Sequence, residues 1–191
     1  MKKREFDELL TGVGVLTVDA YAQEMKQLFP NLILPTLQFE VCSPAHAELS
    51  KSWRDTSVYK DGYGCWSWET IYHKSKYSTK KFVVAVSSNG KFGGLFSGKL
   101  SSNEVELQFV HRDVDCPSLK GFMIPASVTF SAFLGLAMSR DVLSVCEPAK
   151  AIVDRYETSM KGDVAFTYNN QKEVLRMSVP VDEVVSPPTD Q

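Results

Sequence analysis

No apolar stretch among the 191 residues approaches the ~20 that a membrane-spanning helix needs. The longest strips are residues 82–86 and the region around 133–138. Neither sign of charge dominates. Lys and Arg number 21, Asp and Glu 23, for a net charge of −2, so nothing draws the chain globally toward nucleic acid or an anionic membrane. Only four cysteines occur, at 42, 65, 116 and 146. Their spacing gives no C-x-x-C pair and no zinc pattern, and the expected state is reduced, mostly buried thiols in a cytoplasmic protein. A basic start, Met1-Lys2-Lys3-Arg4, precedes Ala20-Tyr21-Ala22, which has the form of a signal-peptidase site. Asp7, Glu8 and Asp19 interrupt what should be an uncharged segment, so no secretory signal is expected. What remains is an ordinary composition with enough length for one well-buried core.

Local patterns divide the chain. Residues 17–29 read as a helix with Thr17 as N-cap and Pro30 as the stop. Residues 34–42 alternate as a strand. Ser43-Pro44 opens a helix to about Trp53: Ser caps, and Pro suits the first turn, where its missing N–H costs nothing. Residues 54–64 are polar. Residues 67–77 fit either a strand or a helix, and the lysines that follow favour a helix. A meander follows: strand 82–87, the turn Asn89-Gly90, strand 92–100, a turn at 101–103, and strand 104–111. In the last of these, Val105, Leu107 and Phe109 are expected on one face, with Glu104, Glu106 and Gln108 on the other. Residues 122–139 read as a helix buried on several sides, with Pro125 in its first turn. A short strand, 142–146, leads to an amphipathic helix at 148–160 that Gly162 ends, with Glu147 as its cap. A final hairpin pairs 164–168 with 173–179. The tail, 180–191, holds three prolines, three acids and no base, and is expected to be disordered.

The order from Leu34 is β-α-α-β-β-β-α-β-α-β-β. Three local runs accompany it: Lys81-Phe82-Val83-Val84-Ala85-Val86 with Asn89-Gly90-Lys91 and Gly93-Gly94-Leu95-Phe96-Ser97-Gly98; residues 105–121, ending Pro117-Ser118-Leu119-Lys120-Gly121; and Val145-Cys146-Glu147-Pro148 with Val153-Asp154-Arg155-Tyr156-Glu157. In this order and spacing they resemble the GNAT superfamily of N-acetyltransferases over residues 34–179. The resemblance implies an α/β (α+β) fold: a central mixed, mostly antiparallel sheet flanked by helices, carrying here an N-terminal helical extension (1–33) and an acidic tail (180–191).

The resemblance also implies a chemistry: transfer of an acetyl group from acetyl-CoA, without a metal, to an unidentified small-molecule or protein amine. In the family the fourth strand carries a bulge and splays from the fifth, and its exposed backbone pairs with the cofactor's pantetheine arm. Phe109, Val110 and His111 occupy that place here. The amides of Leu119, Lys120, Gly121, Phe122 and Met123 would receive the pyrophosphate at a helix start, where free N–H groups and the helix dipole suit an anion. The family loop is Q/R-x-x-G-x-G/A, whereas this chain has Ser118-x-x-Gly121-x-Met123, a degraded form with Pro125 removing one further amide. An ordinary turn into a buried helix explains those residues as well. Tyr156 matches the family tyrosine that protonates the departing thiolate, and is equally a core tyrosine by its spacing from Ile152 and Met160. Glu106 is the chosen general base, with a solvated carboxylate as its plainer reading. Trp53, Tyr59, Tyr63, Trp66 and Trp68 would wall an acceptor cleft, pack a small second core, or form a protein-binding surface. No nucleic-acid or membrane partner is expected, and a homodimer is left open. The alternative activity is a catalytically inactive GNAT-like protein that binds a partner protein. For an unrelated α+β domain, strands 104–111 and 142–146 would not be neighbouring parallel strands.

Overall fold

A computed structural model describes residues 1–28, 30–31, 33–53 and 66–185. Tyr59, Tyr63, Cys65 and the polar stretch 54–64 lie outside the described residues, as do Phe29 and the last six positions. One seven-stranded sheet organises the chain: β1 (Leu37–Val41), β2 (Lys81–Ser88), β3 (Lys91–Leu100), β4 (Glu104–Arg112), β5 (Val142–Cys146), β6 (Ala165–Tyr168) and β7 (Val174–Pro180), in the order β1-β2-β3-β4-β5-β7-β6. All neighbours are antiparallel except β4 and β5, which run parallel from Glu104↔Val142 to Leu107↔Val145. That one parallel pair removes the unrelated-domain reading. Its crossover is α4 (Met123–Ala137), as a parallel connection requires.

The sheet faces bury two clusters. Phe82, Val84, Val86, Phe96, Val105, Leu107, Leu143 and Val145 point toward α4, α5 (Val153–Met160) and the N-terminal helix α1 (Lys3–Leu28). Cys42, Val83, Ala85 and Leu95 point the other way, under Trp53, Trp66 and Trp68. On that side lie α2 (Pro44–Leu49), capped by Ser43 as expected, and α3 (Trp68–Ser75), capped by Ser67. The helix reading of 67–77 therefore holds, and the Asn89-Gly90 turn has both residues at positive φ.

Five local expectations fail. The face assignment of β4 breaks at Gln108. Ser97 pairs with Phe109 and Gly98 with Leu107, so Gln108 is an extra residue opposite no partner. A bulge of this kind inverts the parity of everything after it. Val105 and Leu107 face the α4 side, whereas Phe109 packs in the opposite cluster.

Thr17 is not an N-cap. The helix begins fourteen residues earlier, at Lys3, and the Thr17 hydroxyl bonds the Val13 carbonyl inside it. Phe6, Leu10, Val13 and Thr17, spaced four and three apart, form its buried stripe. Gly12 and Gly14 obscure that stripe in the sequence. At Gly14 a Cβ would lie 2.7 Å from Cβ of Phe39, so glycine lets α1 press directly on β1.

Glu147 caps nothing. It takes φ 46° and donates its amide to the Leu175 carbonyl, and the following helix has no side-chain cap. Lys161, not Gly162, takes the left-handed C-cap position of α5, with φ 64°. Finally, residues 181–185 are not disordered. They form α6 (Val181–Val185), which sinks Val181 and Val184 into the main core beside α4.

Candidate active site

The bulge and the parallel pairing together create an opening. After Leu107↔Val145 the two parallel strands part, while β4 continues to Arg112 paired only with β3. The edge of β4 from Gln108 to Arg112 therefore has no strand neighbour on its β5 side among the described residues. A cavity of about 870 Å³ opens onto this edge. Such a volume suits a cofactor-sized ligand. Val110, His111 and Arg112 supply one wall, the turn and first residues of α4 another, and α5 a third.

The turn before α4 presents unsatisfied donors. Pro117–Leu119 forms a 3-10 turn, Gly121 follows at φ 81°, and α4 starts at Met123. The amides of Leu119, Lys120 and Phe122 donate to the carbonyls of Cys116, Pro117 and Leu119, so those three are already engaged. The amides of Gly121, Met123 and Ile124 have no protein acceptor among the described residues. Pro125 has no N–H, and Ala126 already bonds Phe122. Three free amides at a helix N-terminus make an anion-binding group.

Met123, where the family pattern has a small residue, does not block them. Its side chain is 5% exposed and lies over β3, where a Cβ on Gly94 would come within 2.5 Å of its sulfur. The glycine at 94 thus makes room for the methionine at 123, and the methionine's bulk points inward. Lys120 is exposed at the cavity rim.

Tyr156 lines the cavity from α5, with the residue only 5% exposed. Burial pushes its phenol well above the usual tyrosine range, so it stays protonated and neutral near pH 7. Ile152 lines the same wall. Of the expected cofactor contacts, Val110, His111, Leu119, Lys120, Gly121 and Met123 come together around one cavity. The side chains of Phe109 and Phe122 do not line it. The bulge turns Phe109 to the other sheet face against Trp66, at 5.3 Å between rings, and Phe122 packs edge-on to Tyr21 at 4.4 Å.

Glu106 is not a solvated carboxylate. Its side chain is 7% exposed and pairs with Lys99 at 2.9 Å; Gln108 donates to it at 2.7 Å, and Arg176 stands 3.9 Å away. Arg176 also pairs with Glu104 and donates to Ser144. This polar group lies one residue before the point where the strands part, on the sheet face away from α4.

His111 joins the cavity to the aromatic cluster. The Trp68 indole N–H donates to its Nδ1 at 3.0 Å, and Trp53 and Trp66 meet its ring edge-on. An indole only donates, so Nδ1 must be the unprotonated nitrogen and the neutral ring carries its proton on Nε2. Trp66 reaches the cavity as well, while Trp68 is buried in the second core.

Sequence reasoning missed the α1 contribution. Thr17, Tyr21 and Glu24, one face of that helix, line the cavity, and Lys161 reaches across from the end of α5 to pair with Glu24 at 3.1 Å. Burial, and then the Glu24 charge, raises the Tyr21 phenol. The one available signal was the spacing of Tyr21 and Glu24 after the Phe6 to Thr17 stripe. Arg112, Arg155 and Lys161 add positive groups at the same cavity.

A mixed sheet whose fourth and fifth strands are parallel and then splay, with a helix N-terminus beside the gap, is the architecture of the GNAT superfamily. Solved structures agree. A chimera of the spermidine N-acetyltransferase of Vibrio cholerae with hSSAT superposes with a TM-score of 0.57 at 12% identity, covering 79% of this chain and 99% of that one. The Campylobacter jejuni N-acetyltransferase PseH gives 0.52 at 9% identity, over 76% and 99%. An uncharacterized protein from Bacillus halodurans gives 0.58 at 9% identity, over 78% and 86%. No family model matches the chain, and no curated protein matches it. The chain therefore has the GNAT fold, established by its three-dimensional likeness.

Proposed function

We propose that this protein is an acyl-CoA-dependent N-acetyltransferase acting on an amine acceptor. The observation that carries the reading is the convergence on one cavity of a free strand edge, three free helix-start amides and the Tyr156 phenol. The N-acetyltransferases of the same fold support it, and the residues present fit the cofactor. The amides of Gly121, Met123 and Ile124, with Lys120 at the rim, would hold its pyrophosphate. The splayed stretch of β4 at Phe109, Val110 and His111 would hold its pantetheine arm. Acetyl-CoA supplies an activated thioester when bound.

The chain's own residues then have three tasks. Backbone N–H groups at the splayed end of β4 would polarise the carbonyl of a bound acetyl thioester. Glu106, one residue before the strands part and outside the cavity lining, would take the proton that the amine must lose through a bridging water. Tyr156 would donate a hydrogen bond, and then its proton, to the sulfur of a departing CoA. Its raised pKa does not defeat that role. The same desolvation that raises the phenol also raises a thiolate beside it, because both charged forms lose water.

The test is thermal unfolding with and without acetyl-CoA. A ligand at 100 times its Kd adds about 2.7 kcal/mol of stability. In a protein of this size that is a rise on the order of 5–10 °C. No shift at millimolar acetyl-CoA or CoA rejects the enzyme reading and leaves the partner-binding alternative, for which the aromatic cluster around Trp66 would be the first surface to examine.

A further inference from the structure

The N-terminal helix supplies a wall of the cavity and an anionic group that faces a cation there. Its first half is anchored in the core through Phe6, Leu10 and Val13. Beyond Thr17 its hold is lighter: Val18 partly buried against the core, the edge contact of Tyr21 on Phe122, and the Glu24 carboxylate on Lys161 Nζ at 3.1 Å. Both members of that ion pair line the cavity. Lys161 has an unusual backbone for a lysine, φ 64° and ψ −38°, at a helix C-cap where glycine is the common choice. Gly162, the next residue, does not take that position. A lysine is thus held in a strained conformation, with its amine at the cavity and its charge occupied by a carboxylate from another element. Strain of this kind persists where the site uses it.

We infer that Glu24 is an electrostatic guard on the cofactor cavity. Lys161 is a contact for a phosphate-bearing ligand, and Glu24 occupies it until that ligand displaces the carboxylate. This rests on the cofactor reading above. It assigns to α1 a direct part in setting affinity: the helix selects against weak anions, because any ligand must outcompete a tethered carboxylate for Lys161. Asp154, also at the cavity, adds to the negative field, and Arg155 to the positive.

Opposite signs from the two ends of the pair test this. Titration calorimetry with CoA at low ionic strength is run on the full chain and on Glu24→Gln and Lys161→Gln, with melting temperatures taken alongside. Glu24→Gln should tighten CoA binding about fivefold, and Lys161→Gln should weaken it about fivefold, the range of a part-exposed charge contact. Both effects should shrink toward nothing in 1 M NaCl, where the screening length falls to about 3 Å. Inorganic pyrophosphate, competed against CoA, should show the same two signs if Lys161 meets the diphosphate. If it shows neither while CoA shows both, Lys161 meets another phosphate of CoA, and the guard stands. If both variants weaken CoA, the pair merely fastens α1 and the inference is overturned. Equal CoA affinity in all three proteins overturns the guard but keeps the cofactor reading. No CoA binding by any of them refutes both.

Discussion

Two glycines two residues apart in α1, and so on opposite sides of the helix, should respond to alanine with opposite signs. Gly12 and Gly14 both lie inside Lys3–Leu28. In a helix interior, glycine to alanine ordinarily stabilises by about 0.8–1 kcal/mol, since glycine loses more backbone freedom on folding. At Gly12 a Cβ meets nothing within 4 Å, so Gly12→Ala should show that full gain. For a chain of 191 residues it corresponds to a melting temperature higher by roughly 2–4 °C. At Gly14 the same atom falls 2.7 Å from Phe39 Cβ, well inside van der Waals contact. Phe39 cannot yield easily: it is 6% exposed, stacked on Phe130 and packed against Phe96 and Phe122. Overpacking of this sort costs about 1–3 kcal/mol. Set against the propensity gain, Gly14→Ala should be neutral to destabilising by about 2 kcal/mol. The helix would also lift from β1, moving Tyr21 and Glu24 at the cavity wall, so CoA affinity should fall in Gly14→Ala and stay unchanged in Gly12→Ala. Circular dichroism melts and calorimetry on the two variants suffice. If Gly14→Ala stabilises as much as Gly12→Ala, the close seating of α1 on β1 is wrong.

Removing the Tyr156 hydroxyl as Tyr156→Phe keeps the buried ring and should leave CoA affinity intact. Loss of a hydrogen bond to a charged sulfur, about 1.5–3 kcal/mol, should lower kcat between ten- and a hundredfold with any accepted amine. Glu106→Gln should lower kcat too, but most at low pH, where the amine needs a base; a rate within twofold of the parent would remove either residue from the mechanism. Burial pushes the Cys42 thiol up to about 12. In the unfolded chain a thiol loses its proton near pH 9, so between pH 9 and about 12 the folded state binds more protons, and stability falls as pH rises. The contribution is fully present below pH 9 and gone above 12. Cys42→Ala should flatten that fall in denaturant titrations at pH 8, 9 and 10; an unchanged slope would exclude Cys42 as its source.

Signals confined to a few neighbouring residues were legible in the sequence. Ser43-Pro44 names its own helix start, because a hydroxyl acceptor and a residue without N–H serve the same free donors. Asn89-Gly90 names its hairpin, since both residues accept positive φ. Val142–Cys146 is short, apolar and bounded, and it forms the strand expected of it. The order of these elements was enough to anticipate the sheet, and the spacing of Tyr156 to anticipate the face it occupies.

Only the tertiary structure decided what depends on two distant segments at once. The bulge at Gln108 comes from the register of β4 against β3, and it alone turns Phe109 away from the cavity. Glu106 reads as an exposed strand position until Lys99 and Arg176 arrive from other strands to pair with it. The resemblance put the anion site on the backbone amides of Leu119, Lys120, Gly121, Phe122 and Met123. Folding chose which ones: the 3-10 turn consumes those of Leu119, Lys120 and Phe122 and leaves those of Gly121, Met123 and Ile124. The charges around them are likewise a product of folding. Lys161 and Glu24 are separated by most of the chain, and only the packing of α1 beside α4 and α5 sets them at one cavity.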